Sequence, residues 1–243
     1  MWFYSHLVWS NSDVDNKEVI SIAAIDWCPQ ICPKDERNGY ILDIVQNAFS
    51  SGQYQLDIQY YPWSRAIKMV KEGKMDGLLS PAKAEAPTLI YPDNEVGIQQ
   101  MCFFTLANSS WQYTGLASLK GQQIGISNDA SIEELNVYLA QNPEQFQAQP
   151  YVDRFVEQNV NKLIKGRIDS FLFTYNTTQF ELSRLKLWSK VRSAGCVSVA
   201  KVYLAFSPKI EKGRMENIMS EFNKYSNQLF LNNKLDLIMN NYG

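Results

Sequence analysis

The pattern of this chain predicts an α/β fold in two lobes joined by two extended crossings, and three observations carry that expectation. The first is Tyr61–Ser80, which reads as strand end, turn, helix, turn and buried strand. Trp63, Ile67 and Val70, with Ala66 and Met69 beside them, sit at helical spacing. Gly73 ends the helix, with Lys71 and Lys74 in its last turn, where cations suit the negative end of the dipole. Asp76-Gly77 then turns into the apolar Leu78-Leu79-Ser80. The second observation is a repeat of this rule: Gly166 closes the short helix 159–165, Ile168–Phe173 is apolar, and Thr174-Tyr175-Asn176-Thr177 turns polar. The third is a pair of long strand-like runs, Val96–Leu106 and Val197–Ser207. A helix feeding a short apolar strand fits a parallel sheet, and ligands of such sheets bind at the strands' carboxyl ends.

Taken in order, Val19–Ile25 is short, apolar and β-branched, a buried strand. Asp26–Asn38 is a loop rich in turn residues, with Trp27 at its opening. Ile41, Ile44, Val45 and Ala48 give the helix 39–50 one inner face, and Tyr54–Tyr61 alternates as a second strand. The first half is therefore β-α-β-α-β. In the second half Gln123–Ser127 reads as a strand. Ser131 and Glu134 hold capping-box spacing ahead of a helix over Ile132–Ala140. Gln149–Val156 alternates toward a strand, Phe180–Trp188 reads as a helix, and Lys212–Asn232 and Leu235–Tyr242 read as closing amphipathic helices.

Composition narrows the function classes. The 243 residues suffice for one large domain or two small ones, and 45% hydrophobic content is ordinary for a globular protein. A net charge of −2 offers no bulk attraction for nucleic acid or an acidic membrane surface. No apolar run is long enough to span a bilayer. Met1–Trp9 lacks a basic leader and a small-residue cleavage site, so residues 1–17 read as an exposed tail. The lone His6 lies in that tail, which removes any histidine-based triad and leaves Cys28 and Cys32 short of zinc ligands. No phosphate-binding glycine loop and no nucleophile elbow occur. Neither a metal, a cofactor nor a catalytic residue is expected, and the chain is read as a non-enzyme and a monomer. Cys28 with Cys32, and Cys102 with Cys196, are open to two readings: disulfides of an exported protein, or buried thiols.

Several pieces together resemble the family 3 extracytoplasmic solute-binding proteins, the polar amino-acid receptors of ABC importers. They are Ile22–Pro29 followed by Gly39–Val45, the Gly73-Lys74-Met75-Asp76-Gly77 turn with its strand ending in Ser80, and Gly166-Arg167-Ile168-Asp169. The resemblance runs from about Glu18 to the C-terminus. It implies a two-lobed periplasmic-binding-protein-like (type II) fold, with a first lobe over 18–97 and 206–243 and a second over 98–205. It also implies a periplasmic location with the signal peptide removed, a small-molecule ligand in the inter-lobe cleft and an ABC permease as partner.

By the same resemblance Trp27 stands where a ring covers the ligand, Trp63 at another first-lobe contact, and Ser80 and Lys83 in the loop after the strand. Ala130 and Ser131 stand at the helix start that receives a carboxylate. Two positions depart from the pattern. No Arg stands at Ala86 to Thr88, where the family clamps an α-carboxylate, and Thr174 replaces the Asp that holds an α-ammonium. The expected ligand is thus a small polar solute, amino-acid-like or another organic anion. Arg65, Lys83 and Arg154 are candidate cationic anchors. Arg65 at a helix start is unfavourable for the helix, so either it turns into the cleft or it pairs Asp57 or Glu72 at the surface. Tyr175 and Asn176 are placed for hydrogen bonding. The rival functions are a ligand-sensing module of a signalling system, and an enzyme on the same fold, dehydratase or lytic-transglycosylase-like. A cleft-facing carboxylate with a raised pKa is the mark that would favour the enzyme.

Overall fold

The apolar, alternating run after Lys17 forms strand β1 (Glu18–Ala24), which directs Ile20, Ile22 and Ala24 to one face and Ala23 to the other. These coordinates are a computed structural model that describes residues 17–231 apart from 35–36, 52, 129–131 and 153. After β1 come α1 (Tyr40–Ala48), β2 (Tyr54–Tyr60), α2 (Trp63–Lys71), β3 (Gly77–Ala82) and β4 (Gly97–Leu106). The chain continues through β5 (Ile124–Ser127), α3 (Asn136–Gln141), β6 (Phe146–Gln149), α4 (Phe155–Ile164), β7 (Ser170–Thr174), α5 (Tyr175–Arg184), β8 (Val191–Phe206) and α6 (Lys212–Leu231).

The eight strands share one sheet in the order β2-β1-β3-β8-β4-β7-β5-β6. β1 runs parallel to β2 and β3, and β5 runs parallel to β6 and β7. Each trio therefore places its first strand in the middle, the same topology twice. Between them β8 and β4 lie antiparallel to each other and to the trio each adjoins. The result is a two-lobed, periplasmic-binding-protein-like α/β architecture in which both trios turn their carboxyl ends toward the centre.

Hydrophobic packing follows the same division. One cluster sets α1 and α6 against β1 and β8 through Ile41, Val45, Ile218 and Phe222, with Phe49 stacked on Phe222 at 6.3 Å. A second covers the opposite face with Ala66, Ile67 and Val70 of α2. In the other half Cys102, Phe104, Phe171 and Phe173 face α4 and α5, while Met101, Phe103 and Leu172 face Leu119 and Leu135. The period-two alternation of β4 and β7 thus builds both of those cores. Disulfides join Cys28 to Cys32 and Cys102 to Cys196, so all four cysteines are oxidised.

The two Gly-x-x-Asp turns are built alike. Gly73 and Gly166 take φ of 75° and 63°, left-handed values that favour glycine at a helix end. The Asp76 N–H donates to Ser21 O and the Asp76 carboxylate accepts from the Ser21 N–H, both at 2.9 Å. The Asp169 N–H donates to Gln123 O and its carboxylate accepts from the Gln123 N–H, both at 2.8 Å. Each aspartate thereby fixes where the strand that follows it, β3 or β7, starts against the central strand of its trio. Asp76 is further clamped by Arg214 of α6, whose guanidinium reaches both carboxylate oxygens at 2.6 and 3.1 Å and donates to Val19 O at 2.9 Å.

Four elements depart from the sequence expectation. The long strand expected over Val197–Ser207 begins six residues earlier, at Val191, as β8. Gln149–Val156 is not a strand. β6 stops at Gln149, before Pro150, and Phe155, Val156, Val160 and Leu163 are the buried stripe of α4. α5 starts at Tyr175, not Phe180, because its inner face carries Thr177 and Thr178 beside Leu182, so the apolar period is disguised. The Thr178 hydroxyl donates to Thr174 O at 2.8 Å, within the helix's own first turn. Residues 132–135 form a turn ahead of the shorter α3. The capping position Ser131, the tail over 1–16 and the closing helix over 235–242 lie outside the described residues.

Burial by itself would raise the Asp76 carboxyl, but hydrogen bonds from Arg214 and Ser21 outweigh it and hold the group below its ordinary value of 3.8. Its stabilising contribution is present above that value and lost as pH falls through the lowered one. Arg214→Ala is expected to cost about 2–3 kcal/mol near neutral pH in denaturant titrations. The gap to the unaltered protein should narrow below about pH 4.

Candidate functional site

Where the two trios meet, the strand ends converge on a cavity. From one side come Ile25 just past β1, Trp27, Trp63 at the start of α2, and Ser80 and Glu85 in and after β3. Facing them are Ser127 at the end of β5, Tyr151, and Phe173 and Thr174 at the end of β7, with Gln99 and Met101 of β4 as the floor between. The cavity measures about 50 Å³, room for one or two water molecules and far short of a typical ligand pocket. In this form the halves are drawn together over an almost filled cleft.

Two contacts tie the sides across it. The Trp27 Nε1–H donates to the Thr174 hydroxyl at 3.1 Å, with both residues buried. The Tyr151 hydroxyl donates to the Asp26 carbonyl at 2.6 Å. Trp27 is presented rigidly. Its N–H and carbonyl pair with Ile31 at 2.8 and 2.9 Å, closing a small loop that also contains the Cys28–Cys32 bridge and a cis Cys28–Pro29 peptide. Outside Tyr151 the cleft opens to a groove of about 580 Å³ flanked by Asp26, Val152 and Phe180.

Ser80 is the most unusual backbone position of the site. It takes φ of 70°, one of only two non-glycine residues in the left-handed region among the described residues. It sits where the β3–β8 register shifts between Leu79 and Ala82, so the strand bulges at the cleft. Its hydroxyl is buried, with 4% of the residue exposed, and finds no hydrogen-bond partner within the protein. Strain and an unpartnered buried hydroxyl together set Ser80 apart from the rest of the cavity wall.

Glu85 is the residue that sequence reasoning missed. Part of its side chain stays at the surface, but its carboxyl is turned inward. The Ala82 N–H donates to Oε2 at 2.8 Å, and the Trp63 indole donates as well. The Glu85 N–H returns a bond to the Ala82 carbonyl at 3.0 Å. Burial pushes the carboxyl up to about 7, against the lowering effect of those two donors. Glu85 precedes the Ala86–Thr88 segment, where an arginine was sought. The spacing to Ala82, which closes this three-residue turn, was the available signal. Tyr151 and Gln99 carried none.

Of the residues expected to bind ligand, Trp27, Trp63, Ser80 and Thr174 lie on the cavity wall. Arg65 does not: it is exposed, with its guanidinium 5.1 Å from the Tyr61 ring, which supplies the partner its helix position wanted. Lys83 points away over Tyr203 and Tyr91, 4.9 and 5.7 Å from the ring centres. It lines an adjoining cavity of about 280 Å³ that shares Gln99, Met101 and Ile132 with the central one. Arg154 is exposed and pairs with Glu157 at 2.8 Å. Tyr175 stacks on Phe104 at 6.2 Å and Asn176 is exposed, since α5 has already begun and carries both outward. Ala130 and Ser131 lie outside the described residues.

No protein-family model matches the chain, and no curated protein matches it in sequence. Solved structures do match along almost its whole length. A histidine kinase sensor domain with similarity to periplasmic binding proteins superposes with a TM-score of 0.74 at 15% identity, covering 94% of this chain and 97% of that one. An amino acid ABC transporter substrate-binding protein from Streptococcus pneumoniae, bound to L-arginine, gives 0.67 at 11% identity, with 92% and 94% covered. The GluR0 ligand-binding core from Nostoc punctiforme, in complex with L-glutamate, gives 0.68 at 13% identity, with 92% and 98% covered. These likenesses show the fold, a two-lobed one like that of periplasmic binding proteins. The neighbours are binding proteins in the main, and no described helix is long and apolar enough to cross a membrane.

Because the folded Glu85 carboxyl lies above its ordinary 4.5, its contribution to stability is whole below that pH and is lost as pH rises through about 7. Chemical denaturation between about pH 5 and pH 8 should show a decline on the order of 2–3 kcal/mol that Glu85→Gln abolishes.

Proposed function

We propose that this chain is an extracytoplasmic solute-binding protein that captures a small polar molecule between its lobes by opening and closing the cleft. The lobes divide near residues 97 and 206, where β4 and β8 cross. The observation that carries the reading is the pair of bonds across the cleft, Trp27 to Thr174 and Tyr151 to the Asp26 carbonyl. Both are made by side chains at strand ends, and both are exchangeable for contacts to a guest. A ligand that touches both walls then shifts the population toward the closed form by its differential affinity. Delivery to an ABC permease is the role this supports, and oxidation of all four cysteines agrees with an exported protein.

A second reading, a ligand sensor for a signalling partner, is favoured by the superposition on a kinase sensor domain. Neighbouring genes for a permease and an ATPase would support import, and their replacement by a kinase would support sensing. Glu85 meets the mark set for an enzyme, a cleft carboxylate with a raised pKa. It has no second acid among the described residues of the cavity, so a binding role suits it better.

Closure is tested directly by Thr174→Val. The substitution leaves the Trp27 N–H unpaired only in the closed form, at about 1–2 kcal/mol, so roughly tenfold more of the population should be open. Solution scattering should show a larger radius of gyration and Trp27 emission should shift red. An unchanged radius and emission would remove the closure reading.

A further inference from the structure

The charges and hydroxyls around the cleft differ from what an amino acid or an organic acid requires. Among the described residues that line the cavity none is Lys, Arg or His. The nearby cations are turned elsewhere: Lys83 lies over Tyr91 and Tyr203, Arg65 over Tyr61, and Arg154 pairs with Glu157. Among the described lining residues a carboxylate guest would find no cationic side chain to offset its charge, a cost a bulk solvent does not impose. The opposite charge is provided for. Glu85 offers a carboxyl fixed by two donors, and the buried Ser80 hydroxyl beside it lacks any partner within the protein. The indoles of Trp27 and Trp63 and the ring of Phe173 supply faces that attract a cation electrostatically.

Resting on the solute-binding reading above, we propose that the cleft ligand is a small organic amine carried as its ammonium ion, paired with Glu85, hydrogen-bonded to Ser80 and enclosed by the aromatic walls. The amine takes the place that a clamped carboxylate would occupy in a receptor equipped with arginine. Its N–H groups are donors, which suits an oxygen-lined site, and its charge replaces the solvation that the Glu85 carboxylate loses on closure. The small cavity fits a guest of few heavy atoms once the walls part.

Proton linkage follows from the same contacts. The groups facing the carboxyl are the Trp63 indole of α2, the Ala82 N–H of β3 and the half-buried phenol of Tyr91, with Lys83 over the outer side of the Tyr91 and Tyr203 rings. With the carboxyl pushed up to about 7, amine binding should release a proton below that pH and strengthen as pH rises from about 6 to 8.

The test is calorimetric titration of the full chain with ethanolamine, choline and putrescine, set against succinate, glutamate and glycerol. The expected result is heat and a raised melting temperature with at least one amine and with none of the acids. Glu85→Gln, which keeps an acceptor oxygen for the Ala82 and Trp63 donors, should bind that amine roughly tenfold or more weakly while melting cooperatively. If that variant does not fold, the proton released by the unaltered protein, read in two buffers of different ionisation heat, answers in its place. Binding of an acid or of glycerol without any amine overturns the ammonium assignment and leaves the solute-binding reading standing. Equal amine affinity in Glu85→Gln, or no proton release at about pH 6, overturns it as well. No response to any of the six overturns both.

Discussion

The antiparallel pairing of β4 with β8 is the constraint on which the rest of the molecule depends. Each of these strands is bonded to the other and to the third strand of one parallel trio, β3 on one side and β7 on the other. Since the trios have the same internal order, pairing them through two antiparallel strands relates them by an approximate twofold turn. Their carboxyl ends must then face each other. Ile25, Ser80, Ser127 and Thr174 stand in the site because four strands end at or near them. The Gly-x-x-Asp turns refine this by fixing, through Asp76 and Asp169, where β3 and β7 start against their central strands.

What the cleft can bind is decided by a second layer, in which positions are few and chemistry is specific. A bulged strand holds Ser80 in a conformation that costs on the order of 1 kcal/mol or more, and leaves its hydroxyl without a protein partner. Next to it Glu85 receives two hydrogen bonds that keep its carboxyl aimed inward. The electrostatic character of the cleft is therefore set by a short stretch after one strand, and the fold places no demand on it. Structural neighbours bound to arginine or to glutamate share the frame, and a shared frame does not fix what a cleft binds.

Regular elements were legible in the sequence where one face is apolar throughout. β1, α1, β2, α2 and β3 lie within two residues of their expected ends, because Ile20, Ile22, Ile41, Val45, Ala66 and Val70 all obey a clean period. α5 was not legible, since Thr177 and Thr178 are buried there and threonine does not announce an inner face. Trp27, Trp63 and Thr174 were placed through the resemblance, and each lies at or just past a strand end. Glu85 and Tyr151 did not, because their roles arise from inward orientation at irregular backbone, which no periodicity encodes. Arg65 was misread for a related reason: the tension between a cation and a helix start is real, but Tyr61, four residues earlier, relieves it.

One feature of the crossing pair bears on how the molecule can move. The Cys102–Cys196 bridge staples β4 to β8 at a point where the ladder slips register on both sides, between Gln100 and Cys102 and between Cys102 and Phe104. In the proposed closure, bending falls to the short span between this staple and the first trio, from Gly97 to Met101 on one strand and Val197 to Val202 on the other. The pivot thus lies beside Gln99 and Met101, which form the cavity floor. A guest resting on that floor presses on the axle itself, so its fit is felt as an angle between the two bodies.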